Sequence, residues 1–381
     1  MELNSVLRRA VELGASDVHL KPGRPPVLRR EGALDNLEGA QFVTEPDLEH
    51  VLAAVARPDQ VAAFRASGEL DLAYQVDGLP RFRVNAYRQR EQTAFAFRVI
   101  PALIPDFEQL GLPKGVMRLA NEPRGLILVT GATGSGKTTT LAAMVDHINR
   151  SRTDHIVTIE DPIEILHEDK GCVISQREVG LDTASFGEAL RRALRQDPDV
   201  ILIGELRDAE TAQIALQAAE SGHLVLSTLH TVDAAESVGR MIEFFPPEKQ
   251  QVIRAILAGV LRGVVSQRLL PRVGGGRIPA VEVMVANARI ADLIREGRPD
   301  EITDAIAEGE YFDMQTFTQA LIALVLAGTI DRDVAANAAT NRHDFLVMLE
   351  RAEKQADVDA AAALAETEGE QAEKSHLRVA G

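Results

Sequence analysis

The chain has 381 residues, 45% of them hydrophobic, enough apolar material for two or three domains with cores of their own. Its formal net charge of −16 argues against a general nucleic-acid-binding surface. A single cysteine, Cys172, excludes an internal disulfide and any zinc site built from four cysteines, and its apolar setting GCVIS marks it as a small core residue.

The N-terminal stretch MELNSVLRRAVELGASD has no long apolar run and does not read as a signal peptide. A run of about 18 apolar residues, long enough to span a bilayer, occurs nowhere. A cytoplasmic protein is expected, reaching a membrane only through a partner or its surface. Residues 2–14 mix apolar and charged positions at helical spacing. VHL (Val18–Leu20) and VLRR (Val27–Arg30) are short strand candidates around the turn-rich KPGRPP, and helical patterns follow near 46–66. Three strand-like runs come next, ELDLAYQV, RFRVNAYRQ and TAFAFRVI. This order predicts a small α+β domain over 1–100. PALIPDFEQLGLP carries Pro101, Pro105 and Pro113 and reads as a linker, 101–123.

From 124 the runs LILVT, HIVTIE, DVILIGE and LVLST alternate with helical segments. They are short, rich in Val, Ile and Leu, and apolar on both faces, as parallel strands buried between helices are. An α/β core over 124–286 is expected, then a helical region over 287–349. The Ala- and Glu-rich tail, 350–381, has too few large apolar residues to bury a core and is expected to be mobile.

Gly131 to Thr138, GATGSGKT, fits G-x-x-x-x-G-K-[ST] at every fixed position, with a strand before it and a helix after it. The glycines let backbone N–H groups turn toward phosphates, and the helix start adds its positive dipole end. Thr133, Gly134, Ser135, Gly136, Lys137, Thr138 and Thr139 are the candidate nucleotide-binding residues. Lys137 is expected to reach the β- and γ-phosphates of ATP, and the Thr138 hydroxyl to ligate Mg²⁺. DVILIGELRD ends a hydrophobic strand in Glu205, where a carboxylate can hold Mg²⁺ or orient water. TIEDPIE supplies Glu160, Asp161 and Glu164 after another strand, and spacing alone does not choose among them. His230 follows LVLST at a strand end, which fits a γ-phosphate sensor, whereas His223, before that strand, fits a structural or subunit-contact role. Arg81, Arg83, Arg88, Arg90 and Arg98 cluster in the first domain, with Arg81 and Arg83 on one strand face. They are either a solvated face or a source of arginine fingers, and composition does not decide.

Taken together, GATGSGKTTT, TIEDPIEILH, DPDVILIGELRD and GHLVLSTLHT line up in order as Walker A, Asp box, Walker B and His box. With ELGASDVHLKPGRPPVLRREGAL and RFRVNAYRQR, they make residues 1–345 resemble the secretion ATPases of type II secretion and type IV pili, most closely the pilus retraction (PilT-type) ATPases. The resemblance implies a PAS-like first domain and a RecA-like P-loop core. It implies ATP hydrolysis with Mg²⁺, Glu164 as the glutamate that activates water, Glu205 at the metal and His230 as sensor. Arg83 and Arg98 would reach a nucleotide held between domains or subunits. It further implies a homohexamer at the inner face of the cytoplasmic membrane, driving a polytopic platform protein so that the pilus depolymerises. An accessory retraction ATPase or the motor of another type IV filament or type II secretion-like system is the related alternative. A P-loop kinase is the distant one, and it would leave the Asp and His boxes unexplained. Retraction ATPases carry a motif like AIRNLIRE. Here the stretch from Arg289 to Glu296 keeps LIRE but has Arg289, Ala291 and Asp292 in place of Ala, Arg and Asn.

Overall fold

A computed structural model describes residues 1–30, 32–100, 104–356 and 358. The first three residues of the expected linker and the tail from 359 onward, with its expected mobility, lie outside the described residues. Contacts divide the chain into two compact units: Met1–Ile104 with Pro162–His167, and Pro105–Asp161 with the chain from Glu168 onward.

The first unit is built on a six-stranded sheet of order β3-β2-β1-β6-β5-β4, antiparallel at every pairing. Its strands are β1 (Asp17–Leu20), β2 (Val27–Arg30), β3 (Ala33–Asn36), β4 (Glu69–Tyr74), β5 (Phe82–Gln89) and β6 (Gln92–Val99). Helices α1 (Leu3–Glu12), α2 (Glu45–Val55) and α3 (Pro58–Ser67) accompany it. The start of α2 is fixed by a capping box in which Thr44 and Asp47 satisfy each other's backbone N–H groups, with a proline in the first turn. Along β5, Phe82, Val84 and Ala86 are buried while Arg83, Asn85 and Tyr87 are half-exposed, the alternation that one wet face requires. Phe82 and Phe95 join Phe97, Leu7, Leu48 and Phe64 in one core. Each such side chain contributes about 1.5–3 kcal/mol when fully buried.

The second unit carries a seven-stranded sheet of order β13-β12-β7-β11-β10-β8-β9. β7 (Gly125–Thr130), β8 (His155–Glu160), β9 (Val173–Glu178), β10 (Val200–Ile203), β11 (Leu224–Leu229) and β12 (Leu261–Pro271) run parallel; β13 (Arg277–Val285) pairs antiparallel with β12. Every residue of β7, β10 and β11 is buried, which is why these strands read as unbroken apolar runs. The four expected strands are present and parallel. The sheet also gains an edge strand, β9, and the β12–β13 hairpin, so it is mixed. That hairpin turns at Gly274, Gly275 and Gly276, all at positive φ.

The helices of this unit are α4 (Lys114–Ala120), α5 (Lys137–Ser151), α6 (Phe186–Ala193), α7 (Ala209–Glu220), α8 (Ala234–Glu243), α9 (Pro247–Val260), α10 (Ala288–Glu296), α11 (Ile302–Ala307), α12 (Phe317–Leu326) and α13 (Arg332–Ala338), with further helical residues at 342–356. α4 lies in the segment expected to be a linker, yet its Val116, Leu119 and Ala120 belong to the main core. The C-terminal helices form a smaller core of their own, where Phe317, Leu321, Phe345 and Leu349 pack with Leu270 and Ala280 of the hairpin. No described helix is long and apolar enough to cross a membrane.

Candidate nucleotide site

Because β7, β11, β10 and β8 are adjacent and parallel, the loops that leave them emerge at one edge of the sheet, where ligands of open α/β sheets bind. The loop after β7 is glycine-dependent for two reasons. At Gly131, φ is +140° and a Cβ would stand 2.5 Å from the Gln267 carbonyl oxygen and 2.6 Å from Ser135 Oγ. At Gly134 and Gly136 there is open space, but φ is +80° and +96°, the left-handed region that costs other residues energy.

α5 starts at Lys137 from Gly136, with no side-chain cap on its first turn. Its leading N–H groups therefore face the loop with only the helix dipole behind them. Thr133 and Gly134 are exposed at the crest, and Thr138 and Thr139 are half-buried in the first turn. Ser135 is 6% exposed, and its Oγ has no hydrogen-bond partner among the described residues. A buried hydroxyl left unpaired costs about 1–3 kcal/mol, and an anion in the loop would satisfy it. Lys137, buried, donates from Nζ to the Gly131 and Ala132 carbonyls at 2.8 and 3.1 Å. It is thereby folded over the loop. Residues the sequence did not single out hold this cradle from β12 and α8. Thr130 Oγ1 donates to Ser266 Oγ at 2.9 Å, Ser237 Oγ to Thr130 Oγ1 at 3.4 Å, and Gln267 Nε2 to Thr140 Oγ1 at 2.9 Å.

Glu205 follows β10 in a loop stitched to both neighbouring strands. Gly204 N donates to the Ile159 carbonyl at 2.8 Å, and Thr228 Oγ1 to the Gly204 carbonyl at 2.7 Å. The capping acid of the next helix is Asp208, which accepts from Thr211 N at 2.8 Å, so Glu205 is not needed as a helix cap. Its carboxylate, 16% exposed, pairs through Oε1 with Arg207, and its Oε2 lies 3.4 Å from His230 Nε2. The hydrogen bond to Glu205 leads the forces that push the Arg207 guanidinium above its usual range; the charges of Glu205 and Asp161 add to it, and burial opposes it. Arg207 is the polar residue here that sequence reading passed over. Its signal was weak: a basic residue just before a helix cap looks like any solvated loop residue.

Glu160 ends β8, and its Oε1 accepts from Thr158 Oγ1 at 2.7 Å and Gln176 Nε2 at 3.1 Å. Asp161 is exposed. His223 stands at the amino end of β11, the opposite edge of the sheet, with Nδ1 at 2.9 Å from the Ala218 carbonyl and 3.0 Å from Ser221 Oγ. That ring braces the turn from α7 into β11.

Glu164 lies in the Pro162–His167 segment, grouped with the first unit, and is exposed. On that unit's sheet, Arg29, Asp17, Arg98 and Arg83 are directly opposite one another across β2, β1, β6 and β5, so they share one face. Arg98 Nε donates to Asp17 Oδ1 at 2.9 Å, while Arg29 Nε lies 4.0 Å from the same carboxylate. Burial pushes the Asp17 carboxyl up, but hydrogen bonds from Arg98 and Ser16 together with the charges of Arg98 and His19 outweigh it and hold it below the usual range. Arg83 stands next to Arg98 in the register and is half-exposed.

A phosphate loop on an uncapped helix, an acid at the end of β10 two strands away and a sheet edge that brings their loops together define a P-loop nucleotide-binding protein of the α/β class. Comparison with known proteins narrows this. The profile of the family described as type II/IV secretion system protein matches residues 2–277. The chain is 43% identical over 91% of its length to the whole of the type IV pilus retraction ATPase PilT of Pseudomonas aeruginosa. It is 40% identical to the type IV pilus ATPase PilU of the same organism, over 92% of this chain and 91% of that one. A twitching motility protein of Neisseria gonorrhoeae is 41% identical over 83% of this chain and 84% of its own. Among solved structures, the pilus retraction motor PilT with bound ADP superposes with a TM-score of 0.85 at 42% identity, covering 90% of this chain and 98% of the other. The chain belongs to the type II/IV secretion system protein family.

Proposed function

We propose that this chain is an ATP-hydrolysing motor that powers type IV pilus retraction. The observation that carries the reading is the shared sheet edge: a phosphate cradle with a buried Ser135 hydroxyl unpartnered among the described residues, beside a Glu205 carboxylate paired with Arg207 and 3.4 Å from His230 Nε2. Relatives named as retraction ATPase, twitching motility protein and retraction motor support it.

In this reading the N–H groups of Gly134, Gly136 and Lys137 hold the phosphate chain, and Lys137 leaves the loop carbonyls to neutralise the β- and γ-phosphates. Thr138 and Glu205 are the oxygen donors for Mg²⁺, which supplies charge neutralisation when bound. Among the described residues no cluster of three or more His, Cys, Asp or Glu forms a cage, which suits an ion that keeps phosphate oxygens and waters as partners. His230 reads the γ-phosphate and reports it to Glu205. Glu164 takes the proton of the attacking water, and Arg83 and Arg98 stabilise charge on the transferred phosphoryl group. The working state is a homohexamer at the inner face of the cytoplasmic membrane, pulling on a polytopic platform protein. The first unit acts as the PAS-like front domain and the second as the RecA-like core.

The accessory-ATPase reading rests on the altered motif in α10. Arg289 pairs with Glu308 at 2.5 Å and Asp292 with Arg295 at 2.6 Å, so two of its three departing residues are tied into ion pairs. Deleting the gene and scoring twitching and pilus number separates the two readings. Loss of retraction supports the motor, and loss only under load supports the accessory role. Phosphate release by the purified chain without an acceptor, from a particle that light scattering sizes as a hexamer, is expected. A strictly monomeric chain that fails to split ATP would overturn both.

A further inference from the structure

Away from the phosphate edge, α8, α9 and α10 line a solvent-open cavity of about 200 Å³. Val238, Ile242, Leu293, Ile294 and Pro299 give it apolar walls, Glu243 and Gln250 line its polar side, and Arg254 is its cation. The Arg254 side chain is half-buried, and its Nε is buried without a hydrogen-bond partner among the described residues. The guanidinium lies against Gly297, the left-handed residue that ends α10, where a Cβ would meet its Cζ at 3.2 Å.

Several of the surrounding polar groups have partners of their own. Glu243 faces Arg240 at 3.8 Å. Glu296 and Glu301, on either side of Gly297 and Pro299 in the chain, are both taken by Arg298, at 2.7 and 2.5 Å. Gln250 donates to the Phe245 carbonyl at 3.1 Å. Two carbonyls near the end of α10 are used too: Leu293 O accepts from Arg298 N at 2.9 Å and Ile294 O from Gly297 N at 3.2 Å. A guanidinium beside these apolar walls, with its Nε buried and unpartnered among the described residues, is a donor fork that an anion of matching shape can complete. A planar carboxylate accepts it through two parallel bonds, and the apolar walls suit a short hydrocarbon stem behind the carboxylate.

We propose that this cavity binds a carboxylate carried on a short apolar stem, with Arg254 as its anchor. The stem is either that of a free short-chain acid or the side chain of a glutamate on another polypeptide. The inference is independent of the proposed ATPase function, since no residue of the cavity belongs to the phosphate edge.

The test is saturation-transfer NMR on the full chain with three probes: hexanoate, hexanamide, and acetyl-Leu-Glu-Leu-amide. Saturable binding of hexanoate or of the peptide, with hexanamide silent, is expected, and the probe that binds more tightly identifies the source. Arg254→Met should weaken that binding about tenfold or more, the weight of one charge-assisted hydrogen bond. Arg254→Lys should retain part of it, and both variants should keep wild-type ATP turnover. Equal binding of hexanamide and hexanoate, no saturable signal from any probe, or unchanged hexanoate affinity in Arg254→Met would overturn the proposal. The comparison of hexanoate with hexanamide needs no variant, so a poorly folding Arg254→Met still leaves a decision.

Discussion

The two sheets bury their strands in opposite ways, and their polar residues follow. In the first unit the antiparallel sheet keeps one wet face, so charge runs across it: Arg29, Asp17, Arg98 and Arg83 form a transverse row. In the second unit β7, β10 and β11 are buried at every residue. Their few polar side chains, Thr130, Ser227 and Thr228, are buried in hydrogen bonds, and the charged groups are displaced to the loops at the carboxyl edge. A face can be edited one residue at a time at small cost, while a loop at a buried edge is held by backbone geometry that tolerates little.

Substitutions that probe this contrast should grade accordingly. The largest effect is expected at the edge. Lys137→Ala or Glu205→Gln should lower phosphate release by about 100-fold or more, the scale of removing one preorganised electrostatic group. Normal turnover in both would mean that the edge is not the reacting centre. Gly131→Ala, whose Cβ would stand 2.5 Å from the Gln267 carbonyl, should lower the melting temperature by several degrees, while Gly239→Ala, where a Cβ meets nothing within 4 Å, should not. Equal melting of the two would remove the claim of a rigid cradle.

A middle effect is expected at Glu282 of β13, which is 4% exposed and accepts from Ala234 N at the start of α8 at 2.9 Å. Burial pushes its carboxyl up to about 7 from the ordinary 4.5. Between those values the folded chain keeps a proton that the unfolded chain has lost, so this group's contribution is full below 4.5 and falls as pH rises toward about 7. Glu282→Gln should therefore raise the melting temperature by a few degrees at alkaline pH and leave it unchanged in mild acid. The same gain in acid would contradict the assignment.

The smallest effect is expected on the wet face. Asp17→Asn should cost under about 1 kcal/mol at neutral pH, as partly exposed ion pairs do. Because the Asp17 carboxyl is held below its ordinary 3.8, its contribution is present above that value and disappears as pH falls below it. Chemical denaturation at the two pH extremes measures the difference. Arg83→Ala should spare folding by the same logic; a fall in turnover with ATP binding retained would identify it as a finger, and unchanged turnover would leave it a solvated residue.

Much of this was readable from residue order. Alternation along RFRVNAYRQ located β5 and its wet face, and the apolar runs ending in GATGSGKT and GELRD located β7, β10 and the loops that follow them. The β12–β13 hairpin was missed, although VGGG between two alternating runs is a turn signal. LRGVVSQRLLP follows α9 without a break, so no punctuation separates helix from strand. α4 was hidden by the prolines around it, which mark a linker as readily as a helix start.

The sequence by itself determined the phosphate loop, because glycine at fixed spacing is demanded by backbone conformation and survives in any context. It also determined the acid that follows β10, since a buried strand that ends in a carboxylate has one plausible edge to place it on. What only the tertiary structure decided is which side chains meet. His230 reaches Glu205 because β10 and β11 are neighbours in the sheet, and the Arg254 Nε stays without a partner among the described residues while Arg298 and Arg240 take Glu296, Glu301 and Glu243. Strand order and ion-pair partnership depend on how distant segments pack, and local residue patterns carry no record of that.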